Sequence, residues 1–175
     1  ALGKNGPQVS TLCLGTWPIG GGLGPVSEKN GIATVKAAIE AGMTFLDTAE
    51  SYLNSESLIG EAIAGQRDKV FIASKVSYHY SFKSMSQSLD NSLKALRTDY
   101  VDMYQLHEPK EKYSIEESME SLMRLRDTGK IRYLGLSNYL ANQVKEAMTF
   151  GPINSIQPPY NMMFRFAEKT LVPCC

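Results

Sequence analysis

Apolar and polar positions along the chain switch between two spacings. Short apolar runs rich in β-branched or aromatic residues recur at positions 12–14, 43–46, 70–73, 100–106, 131–136 and 155–156, and each predicts a strand. Between them apolar residues fall at helical spacing. Ile32, Val35 and Ile39 share one face ahead of Gly42, a residue suited to the position just past a helix end. Met85, Leu89, Leu93 and Leu96 repeat the pattern, and so do Ile115, Met119, Leu122 and Leu125. The latter run opens on Ser114-Ile-Glu-Glu117, which reads as a capping box, and stops at Gly129. Weaker helical patterns cover 56–63, 141–148 and a tail from Ala167.

A strand followed by a helix, repeated about six times, predicts βα units and a parallel sheet covered by helices. Two closures are common, the open doubly wound sheet and the eight-stranded barrel. A dinucleotide-binding open sheet carries a G-x-G-x-x-G turn after its first strand. The nearest candidate, Gly20-Gly-Gly-Leu-Gly24, lacks that spacing and reads as a flexible loop. No P-loop pattern and no low-complexity segment occur.

The C-terminal ends of the predicted strands carry the candidate chemistry. Strand two ends in Asp47, strand three in Ser74-Lys75, strand four in His107, strand five in Ser137-Asn138 and strand six in Gln157. In a barrel all these ends converge on the face where active sites are built. Tyr52 follows Asp47 by five residues, close enough to reach a common point. A phenol ordinarily titrates near pH 10. A neighbouring ammonium favours its anion, and a carboxylate holds that ammonium in place. Lys75 between Asp47 and Tyr52 would supply this arrangement. Singly, each residue has a plain reading: Tyr52 a loop aromatic, Lys75 a solvated strand end, His107 a hydrogen-bonded core residue. Together at successive strand ends they point to a site.

Composition narrows the classes further. Apolar residues reach about 46% once Gly replaces Tyr in the count, the ordinary globular range, which argues against disorder. The 18 Lys+Arg balance the 18 Asp+Glu, and no basic run appears, so neither nucleic acid nor an anionic membrane is an expected partner. The longest uncharged stretch, 5–27, is broken by Gly and Pro and does not read as a membrane span. The first residues have no signal-peptide pattern. Cys13, Cys174 and Cys175 form no disulfide framework or metal spacing, which predicts a reduced, cytoplasmic setting. His79 and His107 lack ligand spacing as well, so no metal site is expected.

The chain resembles the aldo-keto reductases along nearly its whole length. Leu14-Gly15-Thr16-Trp17 is similar to the family's first barrel strand and its pocket-lining aromatic. The stretch Phe45-Leu46-Asp47-Thr48-Ala49-Glu50-Ser51-Tyr52 resembles the D-T-A-x-x-Y signature and is the most specific match. Ser74-Lys75 fits the lysine-bearing strand. Asp99-Tyr-Val-Asp-Met-Tyr-Gln-Leu-His107 fits the histidine-bearing one, and Gly129-Lys-Ile-Arg-Tyr-Leu-Gly-Leu-Ser-Asn138 the next.

The resemblance implies NADPH-dependent reduction of an aldehyde or ketone. In it Tyr52 is the proton donor, Lys75 and Asp47 are its tuning pair, and His107 orients the substrate carbonyl. Ser137, Asn138 and Gln157 hold the nicotinamide carboxamide, and Trp17 and Tyr78 wall the substrate pocket. His79 reads either as a further wall or as a surface loop residue.

A complete (β/α)8 barrel takes about 250 residues. The expected architecture is therefore a single incomplete barrel of six βα units over 1–175, without strands seven and eight. Four expectations follow. The nucleotide phosphates lose their usual site, so NADPH binds weakly. Strands one and six present open edges, so the chain self-associates. A catalytically silent binding module is the rival reading of the same site. A shortened product of a longer gene is the third.

Overall fold

The computed structural model describes residues 1–3 and 5–175. Six strands alternate with six α-helices along the chain. The strands are β1 (Cys13–Gly15), β2 (Phe45–Asp47), β3 (Phe71–Val76), β4 (Val101–Leu106), β5 (Ile131–Ser137) and β6 (Ser155–Gln157). The helices are α1 (Glu28–Glu40), α2 (Ser55–Ala62), α3 (Phe82–Leu96), α4 (Ile115–Asp127), α5 (Ala141–Phe150) and α6 (Ala167–Thr170). All strand pairings are parallel, and the order across the sheet is the order along the chain. A doubly wound sheet reverses its winding direction part-way. This one never does, so the helices stay on one side and the sheet curls as a partial barrel.

The two faces of the sheet are packed differently. The helix-facing core is extensive and includes Leu46, Ile72, Val76, Leu89, Leu106, Met119, Leu122 and Leu134, all essentially inaccessible. The inner face holds a small apolar floor of Phe71, Ala73 and Met103, with Leu2, Val9, Phe45 and Tyr133 against it. Above that floor the inner row becomes polar. Register places Gly15 beside Asp47, Asp47 beside Ala73, Lys75 beside Gln105, Gln105 beside Gly135, and Ser137 beside Gln157. Gly135 leaves room in that row for the Gln105 side chain, since a Cβ there would stand 2.9 Å from Gln105 Cγ and displace it.

Helix starts follow the expected chemistry with one difference. Ser114 Oγ accepts from the Glu117 backbone N–H at 3.0 Å, which is half of the capping box. The glycine run departs from expectation more sharply. Pro18–Gly22 forms a short helical turn instead of a flexible loop. Gly20 is buried there, and a Cβ on it would lie 2.3 Å from the Tyr52 carbonyl oxygen. The glycine serves close approach, so the first βα connection packs directly beneath Tyr52.

Candidate active site

Lys75, on β3, is the centre of the polar row. Its side chain is 1% exposed, and Nζ donates to Asp47 Oδ2 at 2.7 Å, the Thr48 carbonyl at 2.9 Å and the Tyr52 hydroxyl at 3.2 Å. An ammonium has three protons, and each is directed to an oxygen. A buried cation without such partners would be strongly unfavourable. Asp47 sits at the end of β2, one strand away, and its carboxylate compensates the charge. The Asp47 backbone is fixed in turn: its carbonyl accepts from Thr16 N–H at 2.9 Å and Thr16 Oγ1 at 2.7 Å. Ser55 Oγ donates to Thr16 Oγ1 at 2.6 Å and lies 2.9 Å from Thr48 Oγ1, which ties α2 to the same strand ends.

His107 follows β4 and closes the other side. Its ring stands edge-on to Tyr52, with centroids 5.6 Å apart. The backbone is held from both neighbours: His107 N–H donates to the Val76 carbonyl at 3.0 Å, and Asn138 Nδ2 donates to the His107 carbonyl at 2.9 Å. Burial pushes the imidazole below its ordinary pKa, and the Lys75 ammonium adds to the shift, which favours the neutral ring. Ring Nδ1 lies 2.7 Å from Ser77 Oγ and 3.4 Å from Ser51 Oγ.

Ser137, Asn138 and Gln157 cluster at the β5 and β6 ends. Ser137 Oγ donates to the Gln157 carbonyl at 3.3 Å, and Asn138 Nδ2 reaches Ser137 Oγ at 3.1 Å. Asn138 takes a left-handed conformation, φ 62, which turns the chain sharply after β5. Gln157 Nε2 reaches Asp47 Oδ1 at 3.4 Å, while Gln105 Nε2 reaches Gln157 Oε1 at 3.4 Å. The amide trio therefore touches the charged pair through one long contact. Trp17 and Tyr78 are 47% and 58% exposed at the ends of β1 and β3, where they can wall an open cleft. His79 is exposed, with Nδ1 3.5 Å from the Tyr113 hydroxyl, and belongs to the surface.

Several contributors carried no isolated signal in the sequence. Glu50 Oε1 accepts from the Ser77 and Tyr78 backbone N–H groups at 2.5 and 3.3 Å, which pins the loop after β3. Ser51, Ser77 and Gln105 are likewise drawn into the site only by the fold. Two of them, Glu50 and Ser51, lie inside the Asp47-to-Tyr52 stretch and could have been suspected from their proximity.

A family model described as "Aldo/keto reductase family" matches residues 11–175. The chain belongs to the aldo/keto reductase family. It is 38% identical to the aldo-keto reductase YhdN of Bacillus subtilis, covering 99% of this chain and 56% of that protein. Its fold superposes on the thermostable aldo-keto reductase Tm1743, solved with the inhibitor epalrestat, with a TM-score of 0.89 at 37% identity. That match covers 97% of this chain and 65% of Tm1743. An aldo/keto reductase of Klebsiella pneumoniae, solved with NADP and acetate, gives a TM-score of 0.86 at 34% identity, covering 95% of this chain and 60% of that one. The chain thus spans just over half the length of the curated relative and about three-fifths of these solved structures.

Proposed function

We propose that this family member reduces aldehydes or ketones to alcohols with NADPH, with Tyr52 as the proton donor. The observation that carries the reading is the threefold donation by Lys75 Nζ to Asp47, Thr48 and Tyr52. As a carbonyl becomes an alkoxide it draws the Tyr52 proton, and negative charge develops on the phenol oxygen. The Lys75 ammonium is already placed against that oxygen, so the charge is stabilised without reorganisation. Asp47 keeps the ammonium in position, and His107, edge-on to the Tyr52 ring, orients the substrate's oxygen. NADPH, when bound, supplies the hydride.

The nicotinamide end of such a cofactor fits the residues present. A carboxamide needs a hydrogen-bond acceptor and a donor side by side. Asn138 Oδ1 has no partner among the described residues, and exposed Gln157 offers Nε2. Fewer groups suit the phosphate end. Arg165 is engaged with Glu168 at 2.7 Å, so weak binding of the nucleotide by this chain is part of the proposal. A small carbonyl compound is the expected substrate, and a reducing cytoplasm suits the free thiols of Cys13, Cys174 and Cys175. Among the described residues no helix is long and apolar enough to cross a membrane.

Turnover of an aryl aldehyde with NADPH, followed by loss of reduced-nicotinamide absorbance, tests the reading. Tyr52→Phe should lower the rate by about 10²–10⁴-fold while leaving thermal unfolding unchanged. A rate indifferent to the change, or no turnover across a broad carbonyl panel, would favour a silent binding module instead. The sheet carries a second expectation. β1 and β6 are each paired on one side only, so chains of this length should self-associate. Light scattering should show mass rising with concentration, and a monomer at all concentrations would refute this.

A further inference from the structure

We propose that Tyr80 is a positioning residue that fixes His107 by holding the backbone of the residue after it. The proposal deepens the reductase reading and rests on it for its kinetic consequence alone. Glu108 directly follows His107, and one phenol grips both of its backbone polar groups. The Tyr80 hydroxyl donates to the Glu108 carbonyl at 2.7 Å and accepts from the Glu108 N–H at 3.2 Å. Chemistry sets the direction of each bond, since a carbonyl has no proton to give and a backbone N–H can only donate. Burial pushes the Tyr80 phenol up to about 12, so the hydroxyl keeps its proton at neutral pH.

The peptide joining His107 to Glu108 is thereby held at both polar atoms. Tyr80 takes its N–H, and Asn138 Nδ2 donates to its carbonyl at 2.9 Å. The Tyr80 side chain is wholly buried, and its hydroxyl lies 3.4 Å from the Val76 carbonyl. That same carbonyl accepts from His107 N–H at 3.0 Å. One phenol oxygen therefore stands where the end of β3 meets the exit of β4. Its ring also lies against Tyr113, with centroids 5.9 Å apart, so both ends of the segment from Glu108 to Tyr113 rest on Tyr80.

The consequence reaches the imidazole through its own backbone. Tyr80→Phe keeps the ring and its packing but leaves the Glu108 N–H and carbonyl without their partner. The segment then turns towards water for replacement bonds, and His107 follows it. The charged groups around that imidazole are Lys75 on β3, Asp47 on β2, and Glu108 and Lys110 just after β4, with the Tyr52 phenol at its edge. Burial first, and the Lys75 ammonium second, hold the imidazole below its ordinary value. Both weaken as the ring moves outward, so its titration moves upward.

The chain has two histidines, so proton NMR of the ring Cε1–H groups follows His107 directly, with His79→Gln for assignment. In Tyr80→Phe the His107 midpoint should rise towards that of an exposed imidazole. With NADPH and an aryl aldehyde, kcat/KM should fall on the order of ten- to a hundred-fold, the scale of a displaced positioning group. A His107 midpoint that is unmoved or lowered while Tm falls would make the phenol a packing residue only and overturn the proposal. If Tyr80→Phe does not fold, hydrogen exchange of the wild-type Glu108 amide decides. Exchange much slower than at exposed Glu111 supports the grip, and exchange as fast as there refutes it. Neither the titration nor the exchange needs cofactor or turnover, so their failure is distinct from a failure of the Tyr52→Phe assay.

Discussion

The site has two halves that are held with different tightness. Around β2–β4, Lys75 makes contacts of 2.7 and 2.9 Å to Asp47 and Thr48 from a position that is 1% exposed. Strands β3 and β4 are six residues long and buried throughout. Around β6 the strand is three residues long, Gln157 is exposed, and its side-chain contacts to Asp47 and Gln105 are both 3.4 Å. The proposed proton-transfer groups Asp47 and Lys75 stand on strands paired on both sides. Of the three residues proposed to hold the nicotinamide, Gln157 lies on an edge strand, whereas Ser137 ends β5, which is paired on both sides. In the proposed reaction, proton transfer would rest on the tightly bonded strands and hydride positioning in part on the loosely bonded edge.

Removing the centre of the tight half should have the largest effect. Lys75→Met leaves the Asp47 carboxylate buried and unpaired, which should cost about 3–5 kcal/mol in denaturant unfolding and abolish measurable turnover. A stable, active Lys75→Met would mean that the two halves do not differ as described.

A middle effect is expected beneath β3. Glu56 on α2 is 7% exposed, and Ser74 Oγ donates to its Oε1 at 2.6 Å. Burial pushes its carboxyl above the ordinary range. The folded state then binds more protons than the unfolded chain between the ordinary glutamate range and the raised value. By linkage, stability is greatest below that window and falls as pH rises through it. Glu56→Gln should flatten this part of the profile, and Tm measured across pH checks it. A slope unaltered by the change would remove Glu56 from the account.

The smallest effect should come from the loose half. Gln157→Ala should weaken nicotinamide cofactor binding by roughly 0.5–1.5 kcal/mol, about two- to twelve-fold in affinity, with unfolding unchanged. A larger loss, read by fluorescence titration, would show that the β6 edge is more ordered when the cofactor is bound.

Legibility in the sequence followed the same division. The strand ends carrying Asp47, Lys75 and His107 were readable because apolar runs fix a strand's end and the barrel geometry gathers such ends. The parallel, singly wound order could not be read from periodicity alone, since βα repeats serve both closures; strand order along the sheet decides it. The glycine run was misread because glycine signals permissive backbone and close packing alike, and only the Tyr52 carbonyl above Gly20 distinguishes them. Ser77 and Glu50 act through contacts between residues 27 positions apart, which no local pattern encodes. Gln105 sat mid-strand in an apolar run, where a polar residue gives no clue to the amide it will meet.

At the foot of the sheet, Tyr100 lies against two guanidiniums, with the carbons of Arg67 and Arg132 4.0 and 3.9 Å from its ring centroid. Asp102 joins both arginines, at 2.7 and 3.1 Å, and accepts from Ile72 N–H at 2.9 Å. This clasp fastens the three middle strands at the end remote from the cleft, like a rivet through the hub of a fan. The strands that carry the lysine and the histidine are thereby joined at both ends, while β1, β2 and β6 lie outside the clasp.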